Sequence, residues 1–232
     1  MITFTLFSLR SYTGVLKMKY YPVCLDVSGR RCVIIGGGEV AERKARRLTD
    51  CGAEVLVVSE SLSSALQAMK AEGRLSHIKA DYSRDLIDGA FLVIGATDRS
   101  EVNEAVSRDA RKQGILVNIV DDPGRCNFIL PSLYRRGDLL IAITTGGKSP
   151  ALAKKLRKEM ARHFGPEYET FLKIMGQIRG KVISRGYPSE KNRALFESII
   201  DSDIIDHIRE KRWDKVKEVI RDLAGEEIEV DE

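Results

Sequence analysis

Three features of this 232-residue sequence predict an α/β fold built on a doubly wound parallel sheet. Short apolar runs alternate with helix-length segments across the first 124 residues, the rhythm of strand, crossover helix and parallel strand. The runs are apolar almost throughout rather than alternating, as expected of strands covered on both faces. After Pro123 the rhythm stops: one more strand is expected, and then mostly helix to the end.

The elements follow in order. Arg31–Ile35 is a short apolar run ending in glycines and reads as a buried strand. Glu39–Cys51 follows as a helix closed by Gly52. Glu54–Ser59 is a second strand, Leu62–Glu72 a helix stopped by Gly73, and Ser76–Ala80 a weaker third strand. Phe91–Ala96 is the fourth strand, Asn103–Gln113 a helix ended by Gly114, and Ile115–Val120 the fifth strand. Leu139–Thr144 is one strand more, and Ser149 onward is mainly helical. Boundaries are placed near residues 124 and 165. They separate a nucleotide-binding domain (18–124), a smaller region (125–165) and a helical C-terminal domain (166–232). Residues 1–17 make a poor signal peptide, opening without positive charge and lacking a small-residue cleavage site. They read as a loose or non-native start, with translation expected from Met18.

Composition excludes several classes. With 43% hydrophobic and 31% charged residues the chain is globular, not disordered. No apolar run reaches the roughly 18 residues that a membrane helix needs. Four cysteines without CxxC spacing and only three histidines argue against a structural zinc site or any held metal. The cysteines are expected to be reduced and packed as small apolar residues in a cytoplasmic protein.

Charge is unevenly spread. Residues 1–124 carry 17 basic and 16 acidic groups, residues 125–188 carry 13 and 4, and residues 189–232 carry 8 and 14. A basic middle points to an anionic partner. No nucleic-acid motif and no aromatic-rich basic strand accompanies it, so a small polyanion is preferred to nucleic acid. The alternative is that these charges are solvated helix faces.

Gly36-Gly37-Gly38-Glu39-Val40-Ala41 fits GxGxxG/A directly after a strand and opening a helix. Gly36 allows the tight turn, Gly38 lets backbone approach a pyrophosphate, and Ala41 keeps the helix near the sheet. The helix N-terminus offers N–H groups and a favourable dipole to the phosphates. Glu60, 24 residues past Gly36, is placed to bind a ribose 2′-OH and to repel a 2′-phosphate, which favours NAD over NADP. Ser61 beside it equally reads as the N-cap of the next helix.

Gly147-Lys148-Ser149 looks like the end of a P-loop, but Ala142 stands where that motif needs its first glycine. Thr144–Pro150 therefore reads as an anion-friendly turn carrying Thr145, Lys148 and Ser149, with Ser149 capping a helix whose first residue is Pro150. A capped helix start alone explains it equally well. Asp121 and Asp122 end the fifth strand, where doubly wound sheets place their ligands. Either is suited to general-base work, and either suits a turn before Pro123.

Beyond these local readings, Tyr21-Pro22-Val23, Gly36–Leu48, Gly95–Asp98, Asn118–Ser132 and Thr144–Arg157 together resemble the precorrin-2 dehydrogenase family, the dehydrogenase/ferrochelatase module of siroheme synthase. The likeness runs from about Lys19 to Arg185 and thins over the helical tail. It implies a Rossmann-type sheet followed by a small dimerisation region and a helical C-terminal domain. It implies NAD-dependent oxidation of precorrin-2 to sirohydrochlorin on the way to siroheme, by a homodimer. It implies cofactor contacts at Glu39, Val40, Glu60 and Ser61, and Asp121 as the catalytic carboxylate. The basic stretch, including Arg125, Lys148, Lys154, Lys155 and Arg157, then meets a tetrapyrrole polycarboxylate, with Arg125, Thr145, Lys148 and Ser149 as substrate contacts. Leu152, Leu156 and Met160 lie one turn apart and read as core or dimer interface. No methyltransferase segment is apparent, so the methylation steps are expected of another protein. Two alternatives stay open: an enzyme that also inserts Fe²⁺ into sirohydrochlorin, and an NAD-sensing regulatory module that needs the glycine turn and Glu60 but not Asp121.

Overall fold

A computed structural model describes residues 19–225; the expectations for residues 1–17 lie outside it. Five strands, β1 (Arg31–Ile35), β2 (Glu54–Val58), β3 (Ser76–Ile78), β4 (Leu92–Gly95) and β5 (Leu116–Ile119), form a parallel sheet in the order β3-β2-β1-β4-β5. Helices α1 (Glu39–Asp50), α2 (Ser64–Ala71) and α3 (Ser100–Lys112) are the crossovers. This is the α/β fold expected. The strand order reverses at β1, so the crevice between β1 and β4 is the topological switch point.

The apolar strands are explained by two cores. Cys32 and Ile34 of β1 face Ala41 and Ala45 of α1 with Leu66 and Met69 of α2. Val33 and Ile35 face the other way, onto Val106 and Ala110 of α3 and onto Ile87. The two alanines let α1 lie close on the sheet.

Local differences from the sequence reading have identifiable causes. The second helix begins at Ser64, and its N-cap is Ser63, whose Oγ accepts from Leu66 N at 3.3 Å; Ser61 is not the cap. Ser132–Arg136 forms an additional strand, β6, antiparallel to β7 (Leu139–Ile143), with Tyr134 opposite Ile141. Of the cysteines, Cys32 is buried, and burial pushes its thiol up to about 11. Cys24 and Cys51 are exposed rather than packed.

The chain divides into two units after Leu130 rather than at 124. The reason is a seal along β5. Asn127 donates its backbone N–H to Val117 O (3.0 Å), accepts Val117 N on Oδ1 (2.7 Å), and donates Nδ2 to Ile115 O (2.9 Å). Asn118 Nδ2 reaches Phe128 O at 3.2 Å, and Ile119 N meets Cys126 Sγ at 3.1 Å. These bonds tie residues 126–128 to the first unit.

The second unit, from Pro131, holds the β6–β7 hairpin and helices α4 (Pro150–His163), α5 (Glu167–Ser184), α6 (Ser189–Ile200), α7 (Ile204–Arg209) and α8 (Trp213–Ala224). Phe171, Ile174, Ile178 and Val182 of α5 pack against Ile199, Ile204, Ile208, Val216 and Ile220. The segments on either side of residue 165 belong together in this unit. Tyr134 of β6 donates its hydroxyl to Phe164 O, and Arg209 of α7 meets the buried Glu167 at the start of α5 at 3.0 Å.

Candidate functional site

At the carboxyl ends of the parallel strands of the first unit lies a cavity of about 830 Å³, lined by the turns that follow β1 to β5. Such a volume suits a cofactor. The glycine turn after β1 forms one wall. Gly36 has φ of +122°, and a Cβ there would stand 2.3 Å from Ala96 O. A Cβ on Gly37 would stand 1.9 Å from Ser61 O. Both positions therefore require glycine. At Gly38 nothing lies within 4 Å of an added Cβ, and α1 begins there without a side-chain cap. Uncapped first-turn N–H groups facing open space are what a pyrophosphate needs, so the residues present fit a dinucleotide.

Gly36, Gly38, Glu39, Val40, Glu60, Ser61 and Asp121 all line this one cavity. Glu60 stands on the turn after β2, where Ser59 Oγ donates to Ser61 O at 2.8 Å. Tyr82, after β3, donates its hydroxyl to Asp109 Oδ2 at 3.2 Å. Burial first, then the Asp109 carboxylate, raises its pKa, so the phenol stays protonated. Asp81 and Arg99, on the turns after β3 and β4, form a solvent-exposed ion pair at 2.7 Å, which water screens.

Asp121 follows β5 with φ of +59°, a left-handed backbone that few side chains adopt but Asp tolerates. Asp122 has a different task. Its Oδ1 accepts Gly124 N at 3.1 Å and Arg125 N at 3.3 Å, capping the short 3₁₀ turn Pro123–Arg125. Lys44 of α1 is half-buried. Burial and the neighbouring Arg43 and Arg47 lower its pKa, against the attraction of Asp121 and Cys126.

Arg125 does not line the cavity. Its guanidinium is held by Ser100 Oγ (3.1 Å), Glu104 (3.3 Å) and Asp122 (3.3 Å). Thr145, Lys148 and Ser149 belong to the second unit. There Thr145 Oγ1 accepts Ser149 N at 3.0 Å, and Ser149 Oγ accepts Leu152 N at 3.2 Å, with Pro150 as the first helical residue. The capped helix start is thus present, and the Lys148 side chain is exposed.

Two residues were missed by sequence reasoning. One is Gly37, which the fingerprint leaves free. The other is Asn103, buried on α3, whose Nδ2 donates to Thr97 O at 2.8 Å and so holds the turn after β4. Its only sequence signal is Gly95, where a Cβ would stand 2.9 Å from Asn103 Oδ1. Among the described residues no group of His, Cys, Asp and Glu is arranged to hold a metal, and no helix is long and apolar enough to cross a membrane.

Fold and site together define a dinucleotide-binding protein of the Rossmann class. Residues 23–132 match an NAD(P)-binding family model, and residues 136–163 match the model described as sirohaem biosynthesis protein central. The chain is 37% identical over 186 residues to siroheme synthase 1 of Aeromonas salmonicida, covering 80% of this chain and 40% of that protein. It is 38% identical over 182 residues to the siroheme synthase of Methylobacillus flagellatus, covering 78% and 39%. The chain thus spans about two fifths of the length of these curated relatives. In fold it is similar to a solved structure titled SirC, precorrin-2 dehydrogenase, with a TM-score of 0.75 at 24% identity, over 89% of this chain and all of that one. The chain is thus similar to siroheme synthases over about four fifths of its own length.

Proposed function

We propose that the protein is an NAD-dependent precorrin-2 dehydrogenase, forming sirohydrochlorin in siroheme biosynthesis. The observation that carries this reading is one cavity at the switch point that holds both the glycine turn and Asp121. The names of the relatives and of the solved structure support the substrate. The oxidation removes a hydride and a proton from the tetrapyrrole; the bound nicotinamide supplies the hydride acceptor. Asp121 takes up the proton, its carboxylate being held at the strand end by the left-handed backbone. The uncapped start of α1 binds the pyrophosphate, and Glu60 accepts from the ribose 2′-OH. Thr145, Lys148 and Ser149 meet carboxylate arms of the substrate, and the basic stretch over 125–188 steers it. The working form is a homodimer; Leu140 and Leu152 of the second unit remain about half exposed in the single chain and suit an apolar interface.

The direct test mixes protein, precorrin-2 and NAD. NADH should appear together with the sirohydrochlorin spectrum, and only when the tetrapyrrole is present. NAD binding without any turnover would favour the regulatory reading. Replacing Glu60 with alanine should raise the NAD KM roughly tenfold, the worth of a hydrogen bond to a charged group, and should weaken discrimination against NADP. An unchanged preference would move the assignment to Ser59 or Ser61.

A further inference from the structure

We propose that His77 is a positioning residue that sets the cofactor preference by holding Glu60 in place. The inference rests on the cavity being a dinucleotide site, and it concerns a residue of β3 that does not line that cavity.

The turn Ser59-Glu60-Ser61 is pinned on both sides of the glutamate. Ser59 Oγ spends its one proton on Ser61 O at 2.8 Å. His77 Nε2 stands 3.0 Å from Ser59 O and 3.4 Å from Ser59 Oγ. Both oxygens must then act as acceptors toward the imidazole, so Nε2 is the nitrogen that carries hydrogen. On the opposite side the Gly37 backbone presses against Ser61 O so closely that no Cβ fits between them. Ser63 N donates to Gly37 O at 2.8 Å and closes the ring of contacts. Ser59 N joins Ile78 O at 3.2 Å, which leaves the Ser59 carbonyl to be satisfied by His77. Glu60 projects from a turn whose register is therefore set by an imidazole N–H two strands away from the glycine turn. Losing that donor frees the Ser59 carbonyl to rotate and displaces the carboxylate relative to the 2′ position of a bound ribose.

A general packing role predicts equal loss for both dinucleotides, whereas a positioning role predicts loss for NAD alone. Calorimetric titration of the full chain with NAD and with NADP, without tetrapyrrole, separates the two. In His77→Ala the NAD Kd should rise about tenfold with the NADP Kd unchanged or lower, so the preference falls by at least the same factor. His77→Gln, whose amide nitrogen replaces the Nε2 donor, should restore most of it. Adding Glu60→Ala to His77→Ala should lower the preference no further, because both changes remove the same contact. Should His77→Ala fail to fold, His77→Phe fills the space without a donor and is compared with His77→Gln in the same way. An unchanged NAD/NADP ratio, an equal loss for both, or no rescue by glutamine would overturn the proposal. A wild type that binds neither dinucleotide would overturn the reading of the cavity itself, and this inference with it.

Discussion

Asp121→Asn should lower kcat for dehydrogenation by about 10²–10⁴-fold, the usual contribution of a positioned general base. NAD affinity and the thermal midpoint should stay close to wild type. Asparagine is nearly isosteric and tolerates the left-handed backbone that residue 121 adopts, so the turn after β5 keeps its shape. Asp122→Asn makes the control. Its carboxylate caps the 3₁₀ turn through Gly124 N and Arg125 N and does not line the cavity. An amide oxygen can accept the same bonds, so the loss there should be small. Equal losses at both positions would undo the single-base assignment. The same Asp121 variant, supplied with sirohydrochlorin and Fe²⁺, distinguishes a dehydrogenase from an enzyme that also inserts iron. Insertion by the wild type and not by the variant assigns both proton transfers to one carboxylate. No insertion above the uncatalysed rate by the wild type assigns the protein to dehydrogenation alone.

Gly38→Val should abolish measurable NAD binding while leaving the fold intact. The protein itself has room for the side chain, with nothing within 4 Å of an added Cβ. The valine then occupies the space in front of the first-turn N–H groups of α1, where the pyrophosphate must sit. Gly37→Ala should fail in the opposite way. Its Cβ would stand 1.9 Å from Ser61 O, so the turn after β2 must shift and thermal stability should drop before any ligand is added. Titration and a melting curve on the two variants separate exclusion of the ligand from damage to the fold. Wild-type NAD affinity in Gly38→Val would mean that the cofactor lies elsewhere.

The parallel sheet was legible because burial on both faces makes its strands read as apolar runs, and glycines mark the helix ends. The cavity residues were legible for a related reason. A fingerprint and a strand end each tie a residue type to a fixed place in such a sheet. What stayed hidden depends on contacts between distant segments. β6 was missed because SLYRR carries Arg135 and Arg136 and shows no clean alternation; its pairing with β7 is a tertiary fact. Ser61, Ser63 and Ser64 all suit the cap of α2, and the choice of Ser63 follows from its N–H bond to Gly37 O, which no local pattern records. Asn103 sits on a helix with nothing in its spacing to mark it; it matters because Gly95 leaves room for its amide at the end of β4. The boundary at 124 came from Pro123, which breaks local structure but does not stop the chain from running back along β5.

That return run also decides how the nucleotide domain behaves in isolation. The outer edge of β5 is occupied by Asn127 and its neighbours, which use up the backbone groups that another strand would seek. A chain cut at residue 124 loses this cover and bares an apolar edge, and it should aggregate on concentration. A chain cut at 130 keeps the cover and should remain dispersed, a difference that light scattering reads directly. The few residues past the proline thus act as a built-in guard against strand-to-strand self-association.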